Sequence, residues 1–281
     1  RVIALANSRK MLLSDVPLDL ENWRELLDQI KQTSDRESFF NHIKSLNLRN
    51  SIFVDNTANE EIAGEYNRYL EHNIGVVTCN KIACASSLSN YKELKRTARK
   101  FGTPFLFETN VGAGLPVIDT LNNLIASGDV IHKIQAILSG SLNFIFNNFT
   151  SSTTFASIVQ AAQKEGYTEP DPKIDLSGVD VARKILILAR ESGFEEELAS
   201  IDNKSFLPQE VLDTKNNEAF FKALEKHESH FQTLLAKASE KNCRLKYVAQ
   251  LENGKASVGL QEIDPSHDFY NLEGSDNIIL F

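Results

Sequence analysis

Four short apolar runs punctuate the first part of the chain, at residues 2–6, 51–55, 74–78 and 104–108. Each is rich in β-branched or aromatic residues and has the length of a buried strand. The stretches between them carry helical signals. Ser34 followed by Glu37 reads as a capping box. Asn59 is placed to cap a helix ending near His72, and a helical run over 89–101 stops at Gly102, a residue suited to the left-handed backbone just past a helix. Strands that alternate with helices pair in parallel, because parallel neighbours need a long crossover and a helix supplies it. The expected fold is therefore α/β, with a parallel sheet whose strand ends at Ala6, Asp55 and Thr78 lie along one carboxyl edge. Open parallel sheets bind ligands at that edge.

The pattern changes after Glu108. Pro116 is placed to open a helix that reaches Ser127, with Gly128 beyond it, and a longer strand is expected over 130–138. Helices are expected over 141–149, 155–165 and 178–192, and a polar helical stretch over 217–241. Asn253-Gly254 lies between two strand-like runs at 244–251 and 256–263, which reads as a hairpin. This is a second, mixed α/β domain. The expected boundaries are 1–113 for a nucleotide-binding domain and 114–281 for a substrate-binding and dimerisation domain.

A formal net charge of -8 without a long basic block makes a poor binder of nucleic acid and of anionic membranes. No apolar run is long enough for a membrane span. Three cysteines, Cys79, Cys84 and Cys243, do not make a disulfide framework, and reduced thiols in a cytoplasmic protein are expected.

The most informative stretch is 166–184. Pro170 and Pro172 stiffen a loop that carries Glu169 and Asp171. From 179 to 189 the chain is apolar apart from Asp180, Arg183 and Lys184, as a buried helix would be. Asp180 and Lys184 share a face at i, i+4. They form either a structural ion pair or the polar floor of a ligand site, and the acidic loop just upstream favours the second. Lys81 follows the strand at 74–78, as Asn56-Thr57 follows the strand at 51–55. Its place at the carboxyl edge raises it above an ordinary solvated lysine. In the run 108–116, Gly112 and Gly114 permit positive φ or a close backbone approach. The helix start at Pro116 would attract an anion. Alternatively, Glu108 with the carbonyls of Val111, Ala113 and Leu115 would cage a hard cation, or the run is a tight domain crossover. Arg9 and Lys10 follow the run at 2–6 with no acid nearby, which suits a ribose 2′-phosphate, or else a solvated basic loop.

Together these stretches resemble homoserine dehydrogenase, specifically the dehydrogenase portion of the bifunctional aspartokinase–homoserine dehydrogenases. The likeness is carried by the first strand with Asn7-Ser8, LENW at 20–23, TCNK at 78–81, NVGAGLP at 110–116, LSGSL at 138–142 and the whole run 166–184. It spans nearly the full chain, weakest over 203–241. The resemblance implies a Rossmann-type domain whose first βα unit, with its phosphate turn, is missing here, followed by a mixed α/β catalytic and dimerisation domain that continues past Phe281. The family often has two serines at 58–59, where this chain has Ala58-Asn59, and Arg-Asp at 173–174, where it has Lys173-Ile174.

The implied activity is interconversion of L-homoserine and L-aspartate 4-semialdehyde with NADP, or NAD, in threonine and methionine biosynthesis. By the same resemblance Lys184 is the first candidate for proton donor and acceptor and Lys81 the second. A lysine serves that role near neutral pH when burial or a second cation lowers its pKa. Glu169, Asp180, Tyr167 and Asp175 bind the substrate, with Glu169 and Asp180 facing its ammonium. Ser8, Arg9, Thr57, Lys81 and Gly166 bind the cofactor. Glu108 and the carbonyls of Val111, Ala113 and Leu115 hold a monovalent cation, sodium first among them. The implied partners are a second copy of the chain and a fused aspartokinase. Two rivals are another two-domain NAD(P) oxidoreductase of a small amino or hydroxy acid, and a non-catalytic ligand-sensing module. If Arg9 reads the 2′-phosphate, Arg9→Ala raises the KM for NADPH by about 10–100-fold, the worth of a charged hydrogen bond, and leaves that for NADH nearly unchanged. Equal effects in steady-state kinetics with the two cofactors would remove Arg9 from that role.

Overall fold

The computed structural model describes residues 1–281 as two compact units. The first comprises 1–55, 61–77 and 93–106; the second comprises 56–60, 78–92 and 107–281. No helix is long and apolar enough to cross a membrane.

In the first unit, strands β1 (Ala4–Ala6) and β2 (Met11–Leu13) form an antiparallel ribbon. The run at 2–6, expected as a parallel strand, thus pairs with the segment just after it. The reason is local: Asn7 Oδ1 accepts from the backbone N–H groups of Arg9 and Lys10, both at 2.8 Å, and so closes a tight turn. Strands β3 (Ile52–Asp55), β4 (Gly75–Thr78) and β5 (Phe105–Leu106) make a separate sheet in that order, with β4 and β5 parallel. Alternation along β3 sends Phe53 onto Tyr69, stacked at 4.1 Å, while Ile52 and Val54 stay exposed. Tyr66 is fully buried and donates its hydroxyl to Asp55 Oδ2 at 2.5 Å, so the polar end of β3 is satisfied inside the core.

Several helix ends differ from expectation. Asp35, one residue after Ser34, is the true cap of the Arg36–Leu46 helix and accepts from Ser38 N at 2.7 Å. It has the extended backbone that a cap requires, with φ -139° and ψ 120°. The helix expected after Asn59 is broken into Glu60–Gly64 and Tyr66–Glu71. The Leu88–Phe101 helix stops as expected at Gly102, which has φ 63°.

The second unit is built on a mixed sheet in the order β10 (Ile278–Leu280), β6 (Lys133–Ile137), β8 (Arg244–Glu252), β9 (Lys255–Ile263) and β7 (Asp202–Lys204). All neighbours are antiparallel except β7 with β9. The β8–β9 hairpin turns at Asn253 and Gly254, both with positive φ, as their sequence predicts. Helices Gly140–Asn148, Val179–Glu191 and Glu228–Glu240 pack against β8. The polar stretch at 217–241 is two helices, divided at His227. Phe155 stacks on Phe231 at 4.2 Å, and Phe146, Phe149 and Phe206 surround Phe155.

Gly178 fixes how the Val179–Glu191 helix begins. Its φ is 74°, and a Cβ there would lie 1.9 Å from Tyr247 Oη and 2.8 Å from Tyr247 Cζ. Any side chain must therefore pay both left-handed backbone and overlap with β8. Gly178→Ala should destabilise the protein by about 2–5 kcal/mol in denaturant unfolding, the sum of an αL penalty and overpacking. Adding Tyr247→Phe should recover part of the loss by removing the hydroxyl. Equal stability of Gly178→Ala and wild type would show that the helix start tolerates a shift.

Candidate functional site

Four pieces of the second unit converge at one end of the Val179–Glu191 helix. The first is the exit of β6. Leu138 ends the apolar run, and Ser139 then caps the Gly140–Asn148 helix by accepting from Leu142 N at 3.2 Å. Ser139 and Ser141 share a hydrogen bond at 2.9 Å. The second piece is the loop after the Phe155–Lys164 helix, which turns at Gly166 with φ 79°. Tyr167 then stacks on Phe144 at 4.2 Å.

Asp175, on the short Pro172–Leu176 helix, fastens these two pieces together. Its Oδ1 accepts from Ser141 Oγ at 2.9 Å and its Oδ2 from Glu169 N at 2.9 Å. Burial raises the Asp175 pKa. The Glu169 and Ser141 hydrogen bonds oppose that rise, and the nearby carboxylates of Glu169 and Asp180 reinforce it.

The third piece is the helix start itself. Asp180 lies in its first turn, and Lys184 Nζ sits 2.8 Å from Asp180 Oδ2. Lys184 also donates to the carbonyl of Leu138 at 2.6 Å, at the β6 exit. An ammonium has three N–H groups. Two are accounted for by Asp180 and Leu138.

The fourth piece is the segment 78–92, which brings Lys81 Nζ to 3.4 Å from Asp180 Oδ1. Asn80, buried beside Lys81, holds the turn: its Oδ1 accepts from Ile82 N at 3.1 Å and its Nδ2 donates to Asn59 O at 3.0 Å. Fully buried Asn110, with its amide turned to donate, reaches the carbonyls of Thr78 at 3.2 Å and Cys79 at 3.1 Å. The far end of the Val179–Glu191 helix grips the same segment. Arg190 Nη1 donates to Cys84 O at 2.8 Å, and the Tyr91 hydroxyl donates to Glu191. One carboxylate thus lies between two ammonium groups. Burial alone would raise the Asp180 pKa, but Lys184 and Lys81 outweigh it and hold the group below the ordinary carboxylate range.

An open cavity of about 280 Å³ lies over this constellation. Gly166, Tyr167, Asp175, Asp180 and Lys184 line it, all of them residues expected from the sequence. Ser139, Gly140, Ser141, Val181 and Ser275 complete its wall and were not expected as site residues. The serine–glycine–serine run before a helix is a readable cap signature. Ser275 gives no such signal, because it arrives through pairing of distant strands. Glu169 is exposed on the same loop, engaged through its backbone rather than through its carboxylate. Thr57 is exposed and accepts from Asn59 N at 3.1 Å. Ser8 and Arg9 lie in the other unit, exposed at the β1–β2 turn. The site's polar groups suit a small zwitterion: a helix N-terminus favours a carboxylate, carboxylates favour an ammonium, and a lysine is placed to exchange a proton.

The run 108–116 is also resolved. Glu108 accepts from Ile118 N at 2.7 Å and Asp119 N at 2.9 Å, so it caps the Val117–Ala126 helix. Pro116 is the residue before that helix rather than its first. Gly112 and Ala113 have φ of 77° and 52°, and the Leu115 carbonyl accepts from Val117 N at 2.9 Å. The donor set is oxygen only, and each of these oxygens keeps a second lone pair, which suits a hard cation.

The family described as "Homoserine dehydrogenase" matches residues 116–281, and "Homoserine dehydrogenase, NAD binding domain" matches 1–108. The chain is 41% identical over 281 residues to a bifunctional aspartokinase/homoserine dehydrogenase of Haemophilus influenzae, covering all of this chain and 34% of that protein. It is 38% identical to a homoserine dehydrogenase of Schizosaccharomyces pombe, covering 94% of this chain and 72% of that protein. A solved Candida auris protein, described as of unknown function, superposes with a TM-score of 0.91 at 35% identity, covering 99% of this chain and 80% of that one. The chain thus spans about a third of the length of the bifunctional relative.

The charge balance at Asp180 has a measurable consequence. A carboxylate whose folded pKa is lowered stabilises the fold above its unfolded value, and that stabilisation is lost as pH falls through the folded value. Asp180→Asn should therefore lower the melting temperature at pH 7, where it leaves two ammonium groups unbalanced. The deficit should shrink below about pH 4, the unperturbed range of an aspartate. A deficit that stays constant from pH 7 to pH 3 would mean that packing, not charge, is what Asp180 contributes.

Proposed function

The chain belongs to the homoserine dehydrogenase family, and from that premise we propose that it interconverts L-homoserine and L-aspartate 4-semialdehyde, a step of threonine and methionine biosynthesis. The observation that carries this reading is Asp180, which with Lys184 lines a small polar cavity and is paired from behind that wall with Lys81, itself outside the lining. Homoserine is a zwitterion with one reacting hydroxyl. Its carboxylate would sit at the N-terminus of the Gly140–Asn148 helix, against Ser139 and Ser141. Its ammonium would face Glu169 and Asp180, with Asp175 and Tyr167 completing the wall.

The bound nicotinamide supplies the hydride chemistry. Lys184 handles the proton: in reduction its ammonium gives the proton that is not committed to Asp180 or Leu138 to the aldehyde oxygen, and in oxidation its neutral amine, having released that proton to solvent, accepts the one from the homoserine hydroxyl. Lys81 is the second cation at that oxygen and polarises it. Asp180 keeps both ammonium groups in register and limits their repulsion.

Ser8, Arg9, Thr57, Lys81 and Gly166 would contact the cofactor, with Arg9 favouring NADP over NAD. Glu108 and the carbonyls of Val111, Ala113 and Leu115 would hold a monovalent cation such as sodium. That cation would order the crossover into the Val117–Ala126 helix. A homodimer through the second unit, fusion to an aspartokinase as in the Haemophilus influenzae relative, and a cytoplasmic location complete the proposal.

Lys184→Met decides the central role. The full-length variant should melt near the wild-type temperature and still bind homoserine, while turnover falls by about 10²-fold or more. Near-normal turnover with a large loss of melting temperature would make Lys184 structural and leave Lys81 as the proton-transfer candidate. A panel of small amino and hydroxy alcohols tests the substrate: faster turnover of any of them than of homoserine would overturn it.

A further inference from the structure

Lys246 is the one residue of the β8 core that carries a formal charge, and its side chain is almost wholly buried, at 1% exposure. Its ammonium donates to Asn143 Oδ1 at 3.1 Å, Asn147 Oδ1 at 2.5 Å and the carbonyl of Leu272 at 2.5 Å. Three N–H groups meet three neutral oxygens, which is the full capacity of a lysine.

The two asparagines carry the contact onward. Asn143 Nδ2 donates to Asp276 O at 3.0 Å, and Asn147 Nδ2 donates to Leu272 O at 3.2 Å and Gly274 O at 3.0 Å. Every one of these bonds ends on the strap 272–276. The strap is seated on the start of the Gly140–Asn148 helix so closely that a Cβ on Gly140 would lie 3.0 Å from Ser275 O. Ser275 lines the cavity; Lys246, Asn143 and Asn147 do not.

We propose that Lys246, with Asn143 and Asn147, is a positioning clamp that fixes the strap 272–276 as a wall of the cavity and thereby sets affinity for the amino-acid substrate without touching it. The inference rests on the functional reading above for the identity of that substrate.

A purely structural lysine is a poor account of the arrangement. Burial, reinforced by Arg244 on the same strand and opposed by Glu273 on the strap, lowers the Lys246 pKa to about 8. The fold therefore works against the charge it keeps here. The neighbouring cluster of Ile137, Val248, Ile263 and Phe269, with Leu272 packed on it, would accept an apolar side chain at no such cost. The strap, by contrast, has few apolar anchors: Glu273, Gly274 and Asp276 are exposed. Its backbone carbonyls are what the clamp holds.

The test uses Lys246→Met, the milder Asn147→Ala, and Lys246→Arg, which restores a cation with several donors, all in the full-length protein. Amide hydrogen exchange over 272–276, melting temperature and steady-state kinetics are measured on each. In the first two variants, strap exchange and the KM for homoserine should rise by about tenfold or more, while kcat and the KM for the nicotinamide cofactor stay within about twofold. Lys246→Arg should return most of both changes. Unchanged strap exchange overturns the clamp. Exchange rising through the whole five-stranded sheet, with a lower melting temperature and an unaltered KM, also overturns it, because Lys246 is then structural only. If Lys246→Met does not fold, the same readouts on Asn147→Ala decide. A wild-type protein that does not turn over homoserine sinks the functional reading instead, and strap exchange still decides the clamp.

Discussion

The second unit is organised around one helix that is buried along most of its length and yet is charged at both ends. Ile185, Leu186, Ile187, Leu188 and Ala189 have no exposed surface, so the Val179–Glu191 helix is fixed in place. Its buried charges, Arg190 and Glu191, must find partners within the protein, because an unpaired buried charge costs several kcal/mol. At the N-terminal end Asp180 takes Lys184 and Lys81. At the C-terminal end Arg190 takes the carbonyls of Cys84 and Glu196 and the carboxylate of Glu197, while Glu191 takes the Tyr91 hydroxyl. The segment that bears Lys81 is therefore held to this helix at two points more than two turns apart. That double attachment fixes the distance between the two lysines more firmly than either ion pair alone.

The cavity owes its chemistry to the same economy. Asp175 is not paired with a cation; it spends its oxygens on Ser141 and on the backbone of Glu169. This fastens the 166–171 loop to the start of the Gly140–Asn148 helix, and it leaves Asp180 as the carboxylate shared by the lysines. The two acids thus have different tasks although they stand five residues apart. Burial dominates at Asp175 and raises its pKa; at Asp180 the neighbouring ammonium groups outweigh burial and lower it. The strap 272–276 contributes Ser275 to the cavity wall, and apart from Leu272, which packs on the apolar cluster, it is held by amides and a lysine.

Much of this was legible in the sequence. The alternation of short strands and helices, the apolar helix with its i, i+4 charges, and the Asn-Gly hairpin are all local patterns, and all appear in the structure. So did the family, since its motifs are spread over nearly the whole chain. Local reasoning failed where a neighbour could replace the expected partner. Asp35 displaced Ser34 as a helix cap, and the ribbon turn at Asn7 drew the first strand into an antiparallel pair. Strands of three residues, β7 and β10, are too short to show any period, and only their partners β9 and β6 define them.

What the sequence by itself determined was therefore a set of candidate groups and the elements that bear them: Lys81 past a strand, Glu169 and Asp171 on a stiffened loop, Asp180 and Lys184 on one face of a helix. Their types and spacing follow from backbone periodicity, which is a property of adjacent residues. What only the tertiary structure decided was how those groups divide the work. That Asp180 rather than Glu169 meets Lys81 as well as Lys184, that Asp175 serves as a fastener, that Ser275 reaches the cavity wall, and that buried Lys246 bonds to the strap behind it depend on residues 26 to 133 positions apart in the chain. A charge is placed by whatever surrounds it in space, and no period along the chain encodes that.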